Sequence, residues 1–170
     1  TMGIPCLELS GFEADDILAT LTAAVTARGG SVTLATSDKD ARQLLSDRVK
    51  LLNLRTNLML GPEELLADWG VRPDQVVDWL ALVGDSADNV PGVPLIGPKA
   101  ATELLQTFGD LDAILARCAE VKGAKKQESL RTHADTARAG RELIRLDGHV
   151  PVEIPWDQGR LHPPDGDRLA

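Results

Sequence analysis

The stretch SVTLATSDKDARQLL, residues 31–45, decides the fold class. Its β-branched and apolar start, 31–35, predicts a buried strand. The residues that follow, 38–45, predict a short helix whose Leu44 and Leu45 face inward. A strand that leads directly into a helix is the repeating unit of α/β folds, so we expect this unit to belong to a sheet covered by helices.

The residues on both sides of this stretch continue the pattern. The spacing of apolar residues predicts a helix over 13–28, and Gly29 and Gly30 end it. Further strands are predicted for IPCLEL at 4–9, for VKLLNL at 49–54 and around 58–60. Because strands and helices alternate, the sequence predicts an α/β fold with a parallel sheet.

Beyond Gly61 the pattern becomes helical. Pro62 and Pro73 each suit the first turn of a helix. A loop rich in Gly and Pro covers 84–98, and further helices are predicted at 98–107, 110–118 and 131–146. We therefore expect an α/β part over 1–70, a helical part over 71–150 and an extended, Pro-rich tail over 151–170.

Composition restricts the class of protein. The 170 residues carry a net charge of −8 and are 43% hydrophobic, without a long apolar run that predicts a membrane span. Two cysteines provide neither a disulfide framework nor a zinc site, so a cytoplasmic location is expected. Aromatic residues make up only 3% of the chain, which disfavours the stacking platforms of many single-strand binders. The acidic first half would repel nucleic acid unless cations neutralise it.

Carboxylates are concentrated beside turns and at the ends of predicted elements. Three clusters stand out: Glu13, Asp15 and Asp16; Asp38 and Asp40; Asp85 and Asp88. The second cluster follows a strand, at the sheet edge where open parallel sheets place their sites. Hard divalent cations such as Mg²⁺ prefer these oxygen ligands. Each cluster alone is also typical of a helix N-terminus, a cap or an Asx turn, so only their convergence would indicate a metal site.

The segment PGVPLIGPKAATELL, residues 91–105, contains a second candidate site. Gly92 and Gly97 flank a short apolar stretch, and a helix is predicted from Pro98. The N–H groups at such a helix start can hold a phosphate, and Lys99 adds a positive charge. The alternative is an ordinary helix that begins at a proline and packs on the apolar residues before it. Three lysines further on form either a second phosphate contact or a solvated loop: Lys122, Lys125 and Lys126.

Three stretches together resemble one family, the 5′→3′ exonuclease domain of bacterial DNA polymerase I within the flap endonucleases. They are GFEADDILATL at 11–21, TSDKDARQLL at 36–45 and GDSADNVPGVPLIGPKAATELL at 84–105, and the similarity extends from about Gly3 to Pro155. The resemblance implies a partial PIN-like parallel sheet with helices. An all-helical DNA-binding subdomain of the helix–three-turn–helix (helix-hairpin-helix) type would follow it, with this motif over about 76–105.

The resemblance also implies an activity: metal-dependent hydrolysis of phosphodiesters at the 5′ ends of nicked or branched DNA and RNA primers. Its cofactors would be two Mg²⁺ or Mn²⁺ ions, with K⁺ at the hairpin, and its partners DNA and a polymerase domain in the parent chain. The implied metal ligands are Glu13, Asp15, Asp16, Asp38, Asp40, Asp85 and Asp88. Asp15, Asp38 and Asp40 would act in catalysis only through the metal. The implied DNA-binding residues are Gly92, Val93, Gly97 and Lys99.

Two departures from the family pattern affect these expectations. Leu95 stands where the family usually has glycine. The family's N-terminal portion, with further metal-binding aspartates and a basic helical arch, has no counterpart in these residues. We therefore expect DNA binding and partial Mg²⁺ binding by this chain, with little or no cleavage by the chain alone. The alternatives are a non-catalytic, structure-specific DNA-binding module and a metal-binding regulatory protein, and the oligomeric state is left open.

Overall fold

A short mixed sheet and a larger group of helices make up the molecule. The computed structural model describes residues 5–154, 156–157 and 159. The strands are β1 (Val32–Ala35), β2 (Val49–Asn53) and β3 (Leu58–Leu60). The α-helices are α1 (Ala14–Ala27), α2 (Pro62–Trp69), α3 (Val76–Val83), α4 (Pro98–Phe108), α5 (Leu111–Ala116), α6 (Ala124–Thr132) and α7 (Ala134–Ile144). Short 3₁₀ helices cover Asp40–Leu44, Pro73–Gln75 and Cys118–Glu120.

The sheet has the order β1-β2-β3 and is mixed. β1 pairs with β2 in parallel, as predicted, and β3 pairs with β2 in antiparallel orientation. The antiparallel pair follows from the connection, since the four residues between β2 and β3 are too few for a crossover. The chain bends back there with Asn57 at a φ of 54°, a conformation that asparagine tolerates better than most residues.

The prediction of a strand at 4–9 is wrong for residues 5–9, which contain no strand. Ile4 lies outside the described residues. A strand requires a neighbour for its backbone groups, and β1 forms an edge of the sheet with which no further strand among the described residues pairs. The apolar run of 4–9 could not show whether such a neighbour exists.

In the helical half, one element was missed. The residues from Gly123 onward were predicted to separate two helices, but they begin helix α6, and α7 then starts at Ala134 rather than near 131. Apolar periodicity failed because α6 buries only Ser129 and Leu130. The helix at 38–45 is also shorter than predicted, a 3₁₀ helix over Asp40–Leu44. The remaining helices agree with prediction to within a few residues.

Helix α3 is the centre of the packing and contacts α4 and α7. Large side chains around it are almost completely buried: Leu80, Leu82, Leu105, Leu111, Ile114 and Leu130. Two polar contacts tie α3 to its neighbours. Asp78, itself buried, accepts a hydrogen bond from the Leu111 N–H at 2.9 Å, and Trp79 donates from Nε1 to the Thr102 hydroxyl. These contacts hold α4 and the start of α5 against α3.

The core is continuous between the sheet and the helices. Leu34, Val49 and Leu51 of the sheet belong to the same buried cluster as the α3 side chains. Among the described residues, no helix combines the length and the apolar character needed to cross a bilayer. Most of the predicted tail, 151–170, lies outside the described residues, and 151–154 form neither helix nor strand.

Candidate metal centre

Three separate segments bring acidic side chains to the same side of the molecule. Glu13 is the N-cap residue of α1, and Asp15 and Asp16 lie in its first turn. Asp38 follows the end of β1, and Asp40 begins the 3₁₀ helix. Local hydrogen bonds shape this second segment, since the Asp38 carboxylate accepts from the Asp40 N–H at 2.9 Å. The acidic groups therefore sit at the carboxyl end of a parallel strand, where such sheets place ligands.

The third segment is the turn that leaves α3. Asp85 and Val90 exchange two backbone hydrogen bonds, of 2.8 and 2.7 Å, and these close the turn. The Asp85 side chain also accepts from the Ala87 N–H at 2.9 Å. Asp85 is 3% exposed, whereas Asp88 lies at the surface of the turn. The turn thus points two carboxylates toward the end of β1.

These segments surround a cleft of about 570 Å³. Six of the seven carboxylates predicted as metal ligands line it: Glu13, Asp15, Asp16, Asp38, Asp40 and Asp88. The seventh, Asp85, adjoins the cleft, because one oxygen each of Asp40, Asp85 and Asp88 lie within 4.8 Å of one another. The structure therefore brings together all the side chains that the sequence singled out for this role.

The electrostatics of the cleft are unfavourable without a cation. Burial, with the charges of Asp38 and Asp88 adding to it, raises the pKa of Asp40 to about 6. Burial and the neighbouring carboxylates also raise the pKa of Asp15. A hydrogen bond shared with Asp85 raises the pKa of Asp88. Within the described part of the chain, Oδ1 of Asp40 is buried and has no hydrogen-bond partner. An unpartnered carboxylate oxygen among other carboxylates fits a hard divalent cation.

Lys39 partly neutralises the cluster, a role that the sequence analysis did not assign. Its Nζ lies 2.5 Å from Oδ2 of Asp85. Burial would raise the pKa of Asp85, but hydrogen bonds from Lys39, the Ala87 N–H and Asp88 outweigh burial and lower it. The bond to Asp85 raises the pKa of Lys39 in turn. The ammonium group therefore supplies positive charge beside the carboxylates.

The opposite wall of the cleft comes from the end of α7 and the segment behind it, residues 142–147. Asp16 holds this wall, because its Oδ1 accepts a hydrogen bond from the Asp147 N–H at 2.8 Å. Gln43 holds it as well, donating to the Ile144 carbonyl at 3.1 Å and accepting from the Leu146 N–H. Sequence reasoning missed these contacts because more than 100 residues separate the partners.

The predicted DNA-binding residues lie in the loop between α3 and α4 and divide into two pairs. Gly92 has a φ of 68°, and a Cβ there would lie 2.6 Å from backbone atoms of Val83 and Gly84. Val93 is buried, and its N–H donates to the Leu82 carbonyl at 2.8 Å, so that N–H is not available to a phosphate. Gly97 and Lys99 differ: Gly97 caps α4 with open space at its Cβ position, and Lys99 is exposed in the first turn.

Leu95 lies at the tip of this loop, 62% exposed and with a φ of 68°. Glycine adopts this left-handed backbone conformation without cost, whereas leucine does not. The departure from the family pattern therefore falls where the backbone conformation itself favours glycine. The alternative interpretation expects Val93, Leu95 and Ile96 to pack beneath the helix. Val93 and Ile96 are buried, whereas the exposure of Leu95 shows that it does not pack there.

Helix α6 packs against the loop, because the Ser129 hydroxyl donates to the Pro94 carbonyl at 2.5 Å. Lys122 and Lys126 line a groove that they share with α4. The expectation of a solvated loop here is wrong for Lys125 and Lys126, which belong to the first turns of α6. Lys125 and Lys126 thus lie on an ordered helix, and the groove runs along the middle and end of α4.

Comparisons with known proteins agree with these features. The family model described as 5′-3′ exonuclease, N-terminal resolvase-like domain, matches residues 1–70, and the model described as 5′-3′ exonuclease, C-terminal SAM fold, matches residues 71–167. DNA polymerase I of Rhizobium leguminosarum is 43% identical over 166 residues, which are 98% of this chain and 16% of that protein. A 5′-3′ exonuclease of Aquifex aeolicus is 33% identical over 98% of this chain and 56% of its own length.

A solved structure of a T5 protein co-crystallised with metal ions has a similar fold, with a TM-score of 0.73 and 25% identity. It covers 84% of this chain, and this chain covers 52% of it. The chain therefore spans about a sixth of the Rhizobium polymerase, and about half of both the Aquifex exonuclease and the T5 protein. Two family models cover the sequence almost from end to end, and the fold is that of a resolvase-like domain followed by a SAM-fold domain. The chain belongs to the 5′-3′ exonuclease family.

Proposed function

We propose that this chain forms the acidic cleft and the DNA-backbone surface of a 5′→3′ exonuclease or flap endonuclease within a DNA polymerase I. Its reaction is phosphodiester hydrolysis at the 5′ ends of nicked or branched DNA and of RNA primers, in replication and repair. One observation carries the proposal: carboxylates from three distant segments meet around one cleft, where an Asp40 oxygen has no partner among the described residues. The proposed boundaries are 1–70, 71–150 and 151–170.

The residues that would hold divalent cations are the seven carboxylates of the cleft: Glu13, Asp15, Asp16, Asp38, Asp40, Asp85 and Asp88. Their hard oxygen ligands suit Mg²⁺ or Mn²⁺. A pair of such ions supplies charge stabilisation to the attacking and leaving oxygens of a phosphodiester. The metal ions in crystals of the T5 relative support this assignment.

The chain's own side chains have a limited chemical role in this proposal. Among the described residues that line the cleft there is no Ser, Cys or His to act as a nucleophile. Water is therefore the nucleophile, and Asp15, Asp38 and Asp40 act by presenting carboxylate oxygens. Asp16 has a structural contact in addition to its proposed role as a metal ligand, because one of its oxygens already accepts a hydrogen bond from the Asp147 N–H.

DNA would be held by its backbone at the start of α4, without reading of bases. Gly97 leaves the helix start open, and the positive end of the helix and Lys99 favour a phosphate there. Gly92 and Val93 contribute by packing the loop that presents this helix start. The lysines of α6 extend the surface, and a K⁺ ion bound by loop carbonyls is part of the same proposal.

The test combines metal and DNA binding. Titration calorimetry should detect Mn²⁺ binding that Asp38→Asn and Asp40→Asn weaken at least tenfold, in line with other losses of metal-site groups. Asp135→Asn is the matched control, since Asp135 is fully exposed on α7. Fluorescence anisotropy with a 5′-flap duplex in Ca²⁺ should show affinity that falls steeply with salt. Absence of Mn²⁺ binding, or equal binding by all variants, would refute the proposal.

The non-catalytic DNA-binding module remains the second candidate because Gly97 and Lys99, at the start of α4, are not among the described residues that line the cleft. Cleavage of the flap by the chain joined to its neighbouring segments, and its loss in Asp40→Asn, would exclude that candidate. Slow or absent cleavage by the chain alone stays a prediction. A metal-binding regulatory protein would bind Mn²⁺ but show no affinity for DNA at any salt concentration.

A further inference from the structure

We infer that Arg145 contacts a phosphate of the nucleic-acid strand that enters the acidic cleft. This inference rests on the proposed function and adds a binding residue to it. Arg145 follows α7 directly and lines the cleft on the wall opposite the carboxylates. It is the one basic residue among the described residues that line this cleft.

The backbone around Arg145 is held in place by the same element that carries Asp40. Gln43 lies in the 3₁₀ helix that Asp40 begins, and its amide also donates to the Asp40 carbonyl at 3.0 Å. The same amide bonds the residues on both sides of Arg145, the Ile144 carbonyl and the Leu146 N–H. The position of Arg145 is thereby tied to the position of the carboxylates, as a substrate-contacting residue requires.

The side chain of Arg145 has no strong partner among the residues that the structure describes. It is 56% exposed, and its closest acidic atom is a Glu142 oxygen at 3.9 Å. A loose pair of this kind at the surface contributes little to stability. The other arginines of α7 differ, because Arg141 pairs with Asp112 at 2.7 Å and Arg138 pairs with Asp135 and Asp112. Of these three arginines, Arg145 alone has no carboxylate oxygen within hydrogen-bond distance among the described residues.

A cleft of carboxylates needs a cation on its far side to accept a phosphodiester. Glu142, Asp147 and six predicted ligands line the cleft, so an approaching strand meets mainly negative charge. Lys39 cannot serve, because its ammonium is bound to Asp85. A guanidinium offers two parallel N–H groups to phosphate oxygens and stays charged at any physiological pH. Arg145 has the chemistry and the position for this contact.

The experiment compares Arg145→Gln, Arg145→Lys and the control Arg138→Gln, in the full 170-residue chain. Anisotropy of a labelled 5′-flap duplex in Ca²⁺ is measured at several salt concentrations. Arg145→Gln should bind about five- to tenfold more weakly. Its plot of log affinity against log salt should be shallower by about 0.7 to 0.9, the loss of one phosphate contact. Arg145→Lys should keep the wild-type slope, and Arg138→Gln should keep both affinity and slope.

Any other outcome contradicts either the role of Arg145 or the proposed function. An unchanged salt slope for Arg145→Gln overturns the inference. An equal loss of affinity in Arg138→Gln, or a shallower salt slope for Arg145→Lys, overturns it as well. Thermal unfolding of each variant shows whether a loss reflects misfolding, and unfolding is not expected because the Arg145 side chain is exposed. Failure of the wild-type chain to bind the flap would refute the proposed function itself. Wild-type binding with unchanged Arg145→Gln refutes only the role of Arg145.

Discussion

Two aspartates, Asp78 in the helical half and Asp40 in the cleft, show how the two regions differ. Burial raises the pKa of both side chains. Asp78 has partners that favour its charged form, the Leu111 N–H and Arg141, whereas Oδ1 of Asp40 has none in the described structure. A buried carboxylate with partners holds helices together. One without partners lowers the stability of the metal-free protein and indicates a place for a ligand.

The helical half is also more tightly packed than the sheet. Around α3, Leu80, Leu111 and Ile114 are at most 1% exposed. The sheet is thin, with Leu58 and Met59 of β3 exposed at its far edge. The helical half therefore provides most of the apolar burial that stabilises the molecule, while the sheet mainly presents carboxylates at one end. This division of roles can be tested by mutation.

The largest effect is expected for a core residue of the helical half. Leu111→Ala should lower the free energy of unfolding by about 3 to 5 kcal/mol, because it leaves a cavity in a fully buried site. Leu58→Ala, at a position 66% exposed, should change it by less than about 0.5 kcal/mol. Urea denaturation measures both. Equal losses in the two variants would mean that the sheet is as tightly packed as the helices.

The second effect is a pH dependence from Asp40. Its pKa of about 6 in the folded protein exceeds the ordinary 3.8, so the folded state takes up a proton before the unfolded chain does. Protonation of Asp40 should therefore stabilise the metal-free protein as the pH falls from about 7 toward 4, by at most about 3 kcal/mol, and the raised pKa values of Asp15 and Asp88 act in the same direction. Asp40→Asn should be more stable than wild type at neutral pH and lose the share of this dependence that Asp40 contributes. Asp78→Ala should instead be less stable, because it leaves the buried Leu111 N–H without its acceptor.

Chemical denaturation in EDTA at several pH values measures this effect. The gain should end near pH 4, because carboxylates whose pKa is lowered, such as Asp85 and Asp112, lose their favourable contacts below that point. If the stability of the wild-type protein rose with pH between 4 and 7, Asp40 would not dominate the pH dependence of stability. The proposed difference between the unpartnered Asp40 and the partnered Asp78 would then be wrong.

A third effect tests whether Lys39 acts in place of a metal. Lys39→Met removes the cation beside the buried Asp85 and should destabilise the metal-free protein by about 2 kcal/mol. Excess Mn²⁺ should raise the melting temperature more in Lys39→Met than in wild type, because the ion takes over the neutralisation. Lys125→Met, on exposed α6, is the control. If Mn²⁺ raised the melting temperature equally in all three proteins, Lys39 would not act in place of a metal ion.

The smallest effect concerns the loop tip. Leu95→Gly should stabilise the protein by about 1 kcal/mol or less, because glycine adopts the φ of 68° without strain and the exposed leucine side chain contributes little burial. Leu54→Gly, at an equally exposed position whose φ is not positive, should instead destabilise it through the greater freedom of the unfolded chain. Thermal unfolding distinguishes the two signs, and a loss of stability in Leu95→Gly would contradict the assignment.

Local amino-acid pattern was sufficient for most elements. Short runs of apolar and β-branched residues identified β1 and β2, and prolines marked the starts of α2 and α4, because these signals act on the backbone within a few residues. The same reasoning failed for 5–9, where a strand needs a neighbour, and for α6, which buries too little to show periodicity. The carboxylate clusters stood out because they lie beside turns or at the ends of elements, and the family resemblance then implied the seven metal ligands.

Contacts between distant residues depended on the tertiary fold alone. Neither the bond from Asp147 to Asp16 nor the two bonds of Gln43 around Arg145 has any local signal, since both link residues more than 100 positions apart. The pairing of Lys39 with Asp85 likewise required β1 and α3 to end at the same place. Backbone preferences act over a few residues, whereas charges and hydrogen bonds act through space. Chemistry could therefore be read from the chain, but its arrangement around one cleft could not.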